Sequence, residues 1–286
     1  MNILKTGFLL SMLTVLLVFV GQLIGGANGA TAAFGFALVM NIVSYWFSDK
    51  IVLAMYRAKP LSEAEAPQVY AAVREIAARE RMPMPKLFWL STKTPNAFAT
   101  GRSPKHASVA VTSGLLELMT EDELKGVLAH ELSHVKNRDT LVMSITAAIA
   151  GAISMLASWA RWGLMFGGGR GRSDSRNGGG GLQVVALLIV AILAPLAAML
   201  VQLAISRTRE YGADETGARL TGNPQGLASA LEKLDAAARA HPLPNPNPAT
   251  AHLFIVNPLS GEAFMKLFST HPPIAERVRR LRDLRV

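Results

Sequence analysis

Three stretches of this chain carry no charged residue at all, 6–48, 140–160 and 177–206. Each reaches the roughly 20 residues that an α-helix needs to cross the hydrocarbon core of a bilayer. A fold exposed to water on all sides has no place for that much uncharged surface. The first run is long enough for two spans, and Gly25-Gly26-Ala27-Asn28-Gly29 in its middle favours a tight turn. Helices are therefore expected over about 8–24 and 32–47. The rival for the first, a cleaved signal peptide with Lys5 as its basic flank, is disfavoured by the length of the segment and by the second one that follows it. Half of the 286 residues are hydrophobic, 17% are charged and the mean hydropathy is +0.29, values that suit a membrane protein.

The absence of cysteine excludes disulfides, thiolate metal sites and cysteine nucleophiles, so any metal must rest on nitrogen and oxygen. The net charge of +9 does not point to nucleic acid, because the basic residues are scattered and not gathered into an aromatic-interleaved patch. Orientation in an anionic membrane accounts for them.

His130-Glu131-Leu132-Ser133-His134 is the stretch with chemical content. On an α-helix, residues four apart share a face and lie about 6 Å apart along the axis, so both imidazoles can address one metal ion. Glu131 is offset from them, where it can approach a metal-coordinated water as a proton acceptor. The context reads as helical: Thr120-Glu121-Asp122-Glu123 forms a capping box, and Leu124, Val127, Leu128 and Leu132 recur at helical spacing. The alternative is a solvated helix with two surface histidines. A third ligand is sought in 206–214, where Glu210 and Asp214 stand four apart, Glu210 as ligand and Asp214 as the carboxylate that orients a ligating histidine. The structural alternative for this pair is salt bridging to Arg207 and Arg209.

Polar and apolar segments alternate. An amphipathic helix is expected over 61–81 and short strands at 86–90, 97–100 and 108–112, so that a small α+β unit leads into the motif helix. The motif helix is expected to continue toward the second apolar run. Because one ion must gather His130, His134 and Glu210, the runs 140–160 and 177–206 must leave and return on one side. All but four (Arg161, Arg170, Arg172 and Arg176) of the 29 Lys and Arg residues then share that side, which assigns it to the cytoplasm. Those four arginines disfavour translocation of their loop, and the depth of this second hairpin stays open. The Gly-rich stretch 167–181 lacks a Gly-Lys-Ser/Thr ending and reads as a flexible linker. The resulting division is 1–57, a membrane helix pair; 58–139, the first part of a catalytic domain; 140–206, a second apolar hairpin; and 207–286, the part carrying Glu210.

HELSHVKNRDT at 130–140 and SRTREYGAD at 206–214, together with PNAFATG at 95–101 and FSTHPP at 268–273, resemble the HtpX-type membrane zinc metalloproteases, relatives of the CaaX prenyl-protein endopeptidase. The resemblance covers most of the chain in family order. It implies a polytopic α-helical membrane protein with a mainly α, α+β zincin-like (gluzincin) catalytic domain facing the cytoplasm from the bacterial inner membrane. It implies also a role in stress response and quality control, by endoproteolysis of damaged or misassembled membrane proteins. By motif match it makes His130, His134 and Glu210 the ligands of one Zn2+, Glu131 the catalytic base and Asp214 an outer partner.

Two softer expectations remain. Asn96, Ala97, Phe98, Ala99, Thr100 and Gly101 read as an edge strand to which a polypeptide substrate can add its backbone, or as an ordinary structural strand. His271 is a candidate donor to the tetrahedral oxyanion, although Thr270-His271-Pro272-Pro273 also makes a plain helix start. His106, His241 and His252 have no partner at ligand spacing. The rival functions are specialised prenyl-peptide processing and a non-catalytic, zinc-braced membrane scaffold or chaperone.

Overall fold

The computed structural model describes residues 2–151, 153, 207–240, 251–256 and 272–286. The Gly-rich stretch, nearly all of the second hairpin beyond its first helix, the proline-rich segment 242–248 and His271 lie outside the described residues.

The first uncharged run forms α1 (Asn2–Met55), which is broken at Gly25 and Gly26, the latter at φ 57 and ψ −145. Glycine reaches that backbone conformation without a Cβ penalty. The two arms return alongside each other: Asn41 Nδ2 donates to Thr14 Oγ1 at 2.8 Å and to the Leu10 carbonyl at 3.3 Å. Near the turn the arms touch at Gly21 and Gly29, where a Cβ on either would run into the backbone of the other. The second arm starts directly after the break and extends to Met55, longer than the expected 32–47. Gly25–Met55 is long and apolar enough to cross a membrane, and Thr6–Gln22 is a shorter apolar helix beside it. Phe8, Phe19, Phe34, Phe36, Val39 and Ile42 are exposed on this hairpin. Lipid is the environment in which such a surface costs nothing.

The polar segments build the expected α+β unit. Strands β1 (Lys59–Pro60), β2 (Lys86–Leu90), β3 (Ala97–Thr100) and β4 (Ser108–Thr112) form one sheet in the order β1-β2-β4-β3. β2 and β4 are parallel, and β3 is antiparallel to β4, pairing Phe98 with Ala110. Helix α2 (Pro67–Arg79) begins later than the periodicity suggests, because Pro67 sits in its first turn and Ser62–Glu65 forms a separate hydrogen-bonded turn. After the short α3 (Ser113–Leu118) comes the motif helix α4 (Glu121–Lys136), with the capping box in place at Thr120 and Glu123. Its apolar face joins the core through Leu124, Val127, Leu128 and Leu132, packed with Val69, Val73 and Ile76 of α2.

Contrary to expectation, α4 does not run on toward the membrane. Arg138 adopts a positive φ of 58, which ends the helix, and α5 (Asp139–Gly151) starts afresh. Leu141, Val142, Ile145 and Ile149 of α5 pack on Leu9 and Leu13 of α1, which docks the α+β unit onto the hairpin. Further along the described residues, α6 (Arg207–Thr221) and α7 (Pro224–Ala240) close over α4, and α8 (Ile274–Asp283) packs against α7 and α6. His252 is fully buried, with Nε2 3.0 Å from the Met143 carbonyl of α5.

Glu123 ties the start of α4 to α7. Besides its cap contact it accepts from Ser229 Oγ at 2.5 Å and Lys233 Nζ at 2.7 Å. Burial raises the pKa of this carboxyl, but the donors of Lys233, Ser229 and Thr120 outweigh it and hold the pKa down to about 2. A depressed folded-state pKa stabilises at pH above the ordinary value of 4.5, and the contribution is lost as pH falls toward 2. Discounted for the half-exposed Lys233, it is on the order of 1–2 kcal/mol. In detergent, the difference in unfolding midpoint between the native protein and Glu123→Gln should shrink steadily across that interval, and a constant difference would refute this account.

Candidate active site

His130, Glu131 and His134 are held by α4 in the buried interior, at 1%, 4% and 3% exposure. Glu210 and Asp214, from consecutive turns of α6, are each 3% exposed. The solvated-helix alternative is therefore excluded. The two helices approach closely at Gly217, where a Cβ would stand 2.9 Å from the His130 backbone nitrogen. That absence of a side chain lets α6 lie against the motif turn.

Both imidazoles present Nε2 to the same carboxylate: His130 Nε2 lies 3.8 Å from Glu210 Oε2, and His134 Nε2 lies 3.5 Å from Glu210 Oε1. The rings are nearly perpendicular, with centroids 4.8 Å apart. Adjacent ligands of a tetrahedral ion bonded at 2.0–2.1 Å stand roughly 3.3–3.4 Å apart, so the spacing suits a small cation. Among the described residues His130, His134 and Glu210 form the one group whose donor atoms converge in this way, all within 4.8 Å of one another.

Each ring turns its other nitrogen to an aspartate. Asp214 Oδ1 stands 3.0 Å from His130 Nδ1, a short contact somewhat off the ring's N–H axis. Asp139 Oδ2 stands 3.2 Å from His134 Nδ1. Asp214 is the partner expected from the sequence, whereas Asp139 was not singled out, although it follows His134 by only five residues. The break at Arg138 that starts α5 is what brings it back to the ring. The arginines also pair differently from the local alternative: Arg209 Nη1 is 3.4 Å from Asp139 Oδ1, and Asp214 is gripped by Arg277 of α8.

Arg277 is the second residue that sequence reasoning missed. It is fully buried and donates from Nε and Nη2 to the two Asp214 oxygens at 2.8 and 2.7 Å, and from Nη1 to the Ile255 carbonyl at 3.2 Å. No local pattern marks it, since it lies 63 residues from Asp214 on a helix with several other arginines.

The electrostatics favour a cation. Four carboxylates (Glu131, Asp139, Glu210, Asp214) gather around two guanidiniums (Arg209, Arg277). Burial opposes charge on His134, but Asp139, Glu210 and Glu131 outweigh it and push its pKa up to about 9. For His130 burial dominates and lowers the pKa, against the pull of Asp214. Burial, helped by Glu210, pushes the Glu131 carboxyl up to about 8. Asp214 is held down to about 2, because Arg277 and His130 outweigh its burial.

Strand β3 lies along α4, and the backbone N–H of Ala99 donates to Glu131 Oε2 at 2.8 Å. Residues 96–101 are all buried; the Ala97 N–H donates to Asn96 Oδ1 and the Gly101 N–H to Ser144 Oγ, while Thr140 Oγ1 donates to the Gly101 carbonyl. A cavity of about 680 Å³ between α7 and α8, lined by Glu232, Asp235, Arg279 and Arg282, takes in none of the converging donors.

An apolar hairpin carrying a helical domain with this donor set defines a class, the membrane metalloproteases of zincin type. Residues 63–285 match the model of peptidase family M48, and the chain belongs to that family. It is 59% identical over 280 residues to a protease HtpX homolog of Syntrophobacter fumaroxidans, covering 98% of each chain. With the HtpX homolog of Pyrococcus furiosus it shares 55% identity, over 98% of this chain and 95% of that one. With that of Syntrophotalea carbinolica it shares 54% over the full length of both. Among solved structures it resembles S. mikatae Ste24p, with TM-score 0.53 and 20% identity over 95% of this chain, and it spans 65% of the length of that protein. At that identity the likeness is one of fold.

Proposed function

We propose that the chain is a zinc endopeptidase of the bacterial inner membrane that cleaves damaged or misassembled membrane proteins from its cytoplasmic side. The observation that carries the proposal is that His130 and His134 both aim Nε2 at Glu210 while Glu131 lies beside them. In this reading His130, His134 and Glu210 hold the ion. Asp214 and Asp139 fix the two ring orientations, which raises the basicity of the metal-facing nitrogens. When bound, zinc supplies Lewis acidity, which acidifies water and polarises a peptide carbonyl.

Glu131 is the proton carrier: it stands beside the metal-facing residues on α4, with Oε2 held by the Ala99 N–H, where its carboxylate can take a proton and deliver it to the leaving amine. We further propose that substrate reaches the Ala97–Ala99 edge of β3, exchanging the Ala99 N–H from Glu131 to its own backbone. His271 is kept as a candidate oxyanion donor. The hairpin 1–57 then anchors a catalytic domain assembled from 58–139 and 207–286, with 140–206 between them. Relatives named as HtpX homologs at 54–59% identity support the quality-control role over prenyl-peptide processing.

The test is metal content together with activity. Detergent-purified protein should hold one zinc per chain, lose it and its cleavage of an unfolded reporter to a chelator, and regain both on reloading. His134→Ala should not reload. Cleavage that survives metal removal would overturn the zinc mechanism, cleavage only of a lipidated C-terminal peptide would favour the processing role, and metal binding without any cleavage would favour a scaffold.

A further inference from the structure

Where the second arm of α1 meets the catalytic domain, a cavity of about 450 Å³ opens beside the start of β2 and the β3–β4 connection. Lys50, Lys86, Arg102 and Lys105 line it against a single acid, Asp49. Among the described residues none of these four cations is ion-paired, whereas Arg279, Arg280 and Arg282 of α8 all are.

The position of the cavity follows from the charge pattern. The first uncharged run ends at Ser48, so Asp49 and Lys50 mark the level where hydrocarbon gives way to lipid headgroups. Trp46 and Phe47, 52% and 44% exposed, stand at the same level, as interfacial aromatics do. Arg102 is held in place there: its guanidinium lies 4.6 Å over the Trp46 ring and donates to the Trp46 carbonyl at 3.4 Å. Lys50 Nζ stands 5.2 Å from the Phe47 ring. From the cavity mouth an exposed apolar stripe, Trp46, Val43, Ile42 and Val39, runs along one face of α1 into the uncharged zone.

We propose that this cavity binds the phosphate of an anionic phospholipid, with the acyl chains lying along the Val39–Trp46 stripe. The cations alone would accept any phosphate. The stripe continuous with them selects one that carries hydrocarbon. Bound in this way, the lipid fixes the height and tilt of the catalytic domain against the membrane, some distance from the metal-facing residues.

The experiment is native mass spectrometry of the full chain in detergent, titrated with phosphatidylglycerol or phosphatidylcholine. The native protein should retain one phosphatidylglycerol in preference to phosphatidylcholine. Arg102→Gln with Lys105→Gln should weaken that retention by about tenfold or more, at the usual contribution of one cation near an anionic surface. Arg57→Gln with Lys59→Gln removes equal charge just past the same helix and should change retention little. Equal loss in both double variants would mean delocalised attraction and overturn the site. Asp49→Asn, which removes the one acid, should tighten retention and keeps the proposal testable if the double variant folds poorly. Displacement of the lipid by millimolar inorganic phosphate would show that the cavity selects free phosphate, and would overturn the lipid assignment.

Discussion

Glu131→Gln should keep its metal and lose cleavage by roughly 10²–10⁴-fold, the range contributed by a positioned general acid–base group. The substitution preserves volume, and the amide oxygen can still accept from the Ala99 N–H that now donates to Glu131 Oε2. Packing around this buried side chain is therefore unchanged, while the carboxylate that accepts and returns the proton is gone. Glu131→Asp draws the carboxylate back by one methylene and should fall between the two. The check pairs turnover of an unfolded reporter and a membrane-embedded one with zinc content and unfolding midpoint. A Gln variant that is folded, metal-loaded and fully active would remove Glu131 from the mechanism.

Arg277→Met should be the most damaging change outside the metal-facing residues. The guanidinium is fully buried and makes both of its Asp214 contacts there, with Glu210 Oε2 a further 3.9 Å from Nη1. Removing it leaves the Asp214 carboxylate in the interior without its counter-charge, which typically costs about 3–5 kcal/mol. Asp214, now held at about 2, rises in pKa and loses its grip on the His130 ring, so metal affinity should fall about 10–100-fold as well. Arg277→Lys keeps the charge but not the paired geometry and should recover only part of both. Adding Asp214→Asn to the Met variant removes the stranded charge, so the double variant should be more stable than the sum of the singles predicts. Calorimetry and competitive zinc titration on the four proteins measure this, and strict additivity would mean that Arg277 acts elsewhere.

The parts of the fold legible in the chain are those with a local cause. The strands at 86–90, 97–100 and 108–112 appear where short apolar, aromatic or β-branched runs put them, and the Thr120–Glu123 capping box starts α4 as its own side chains dictate. The turn of the hairpin falls at Gly25 and Gly26, because the positive φ at the second of them is one that glycine takes without strain. What failed also failed locally: the break between α4 and α5 rests on a single positive φ at Arg138, a conformation for which arginine carries no signal.

The site divides along the same line. His130, Glu131 and His134 could be read directly, because helical periodicity alone puts two imidazoles on one face and a carboxylate beside them. Glu210 and Asp214 needed a second helix, but their spacing of four already placed them on a common face. The neighbours of these groups belong to tertiary structure. Asp139 reaches His134 because the chain turns back after α4, and Arg277 reaches Asp214 because α8 packs against α6. Short-range periodicity is written into a sequence by the geometry of the helix itself. The pairing of buried charges from distant segments is decided only when the core closes and water, their other partner, is excluded.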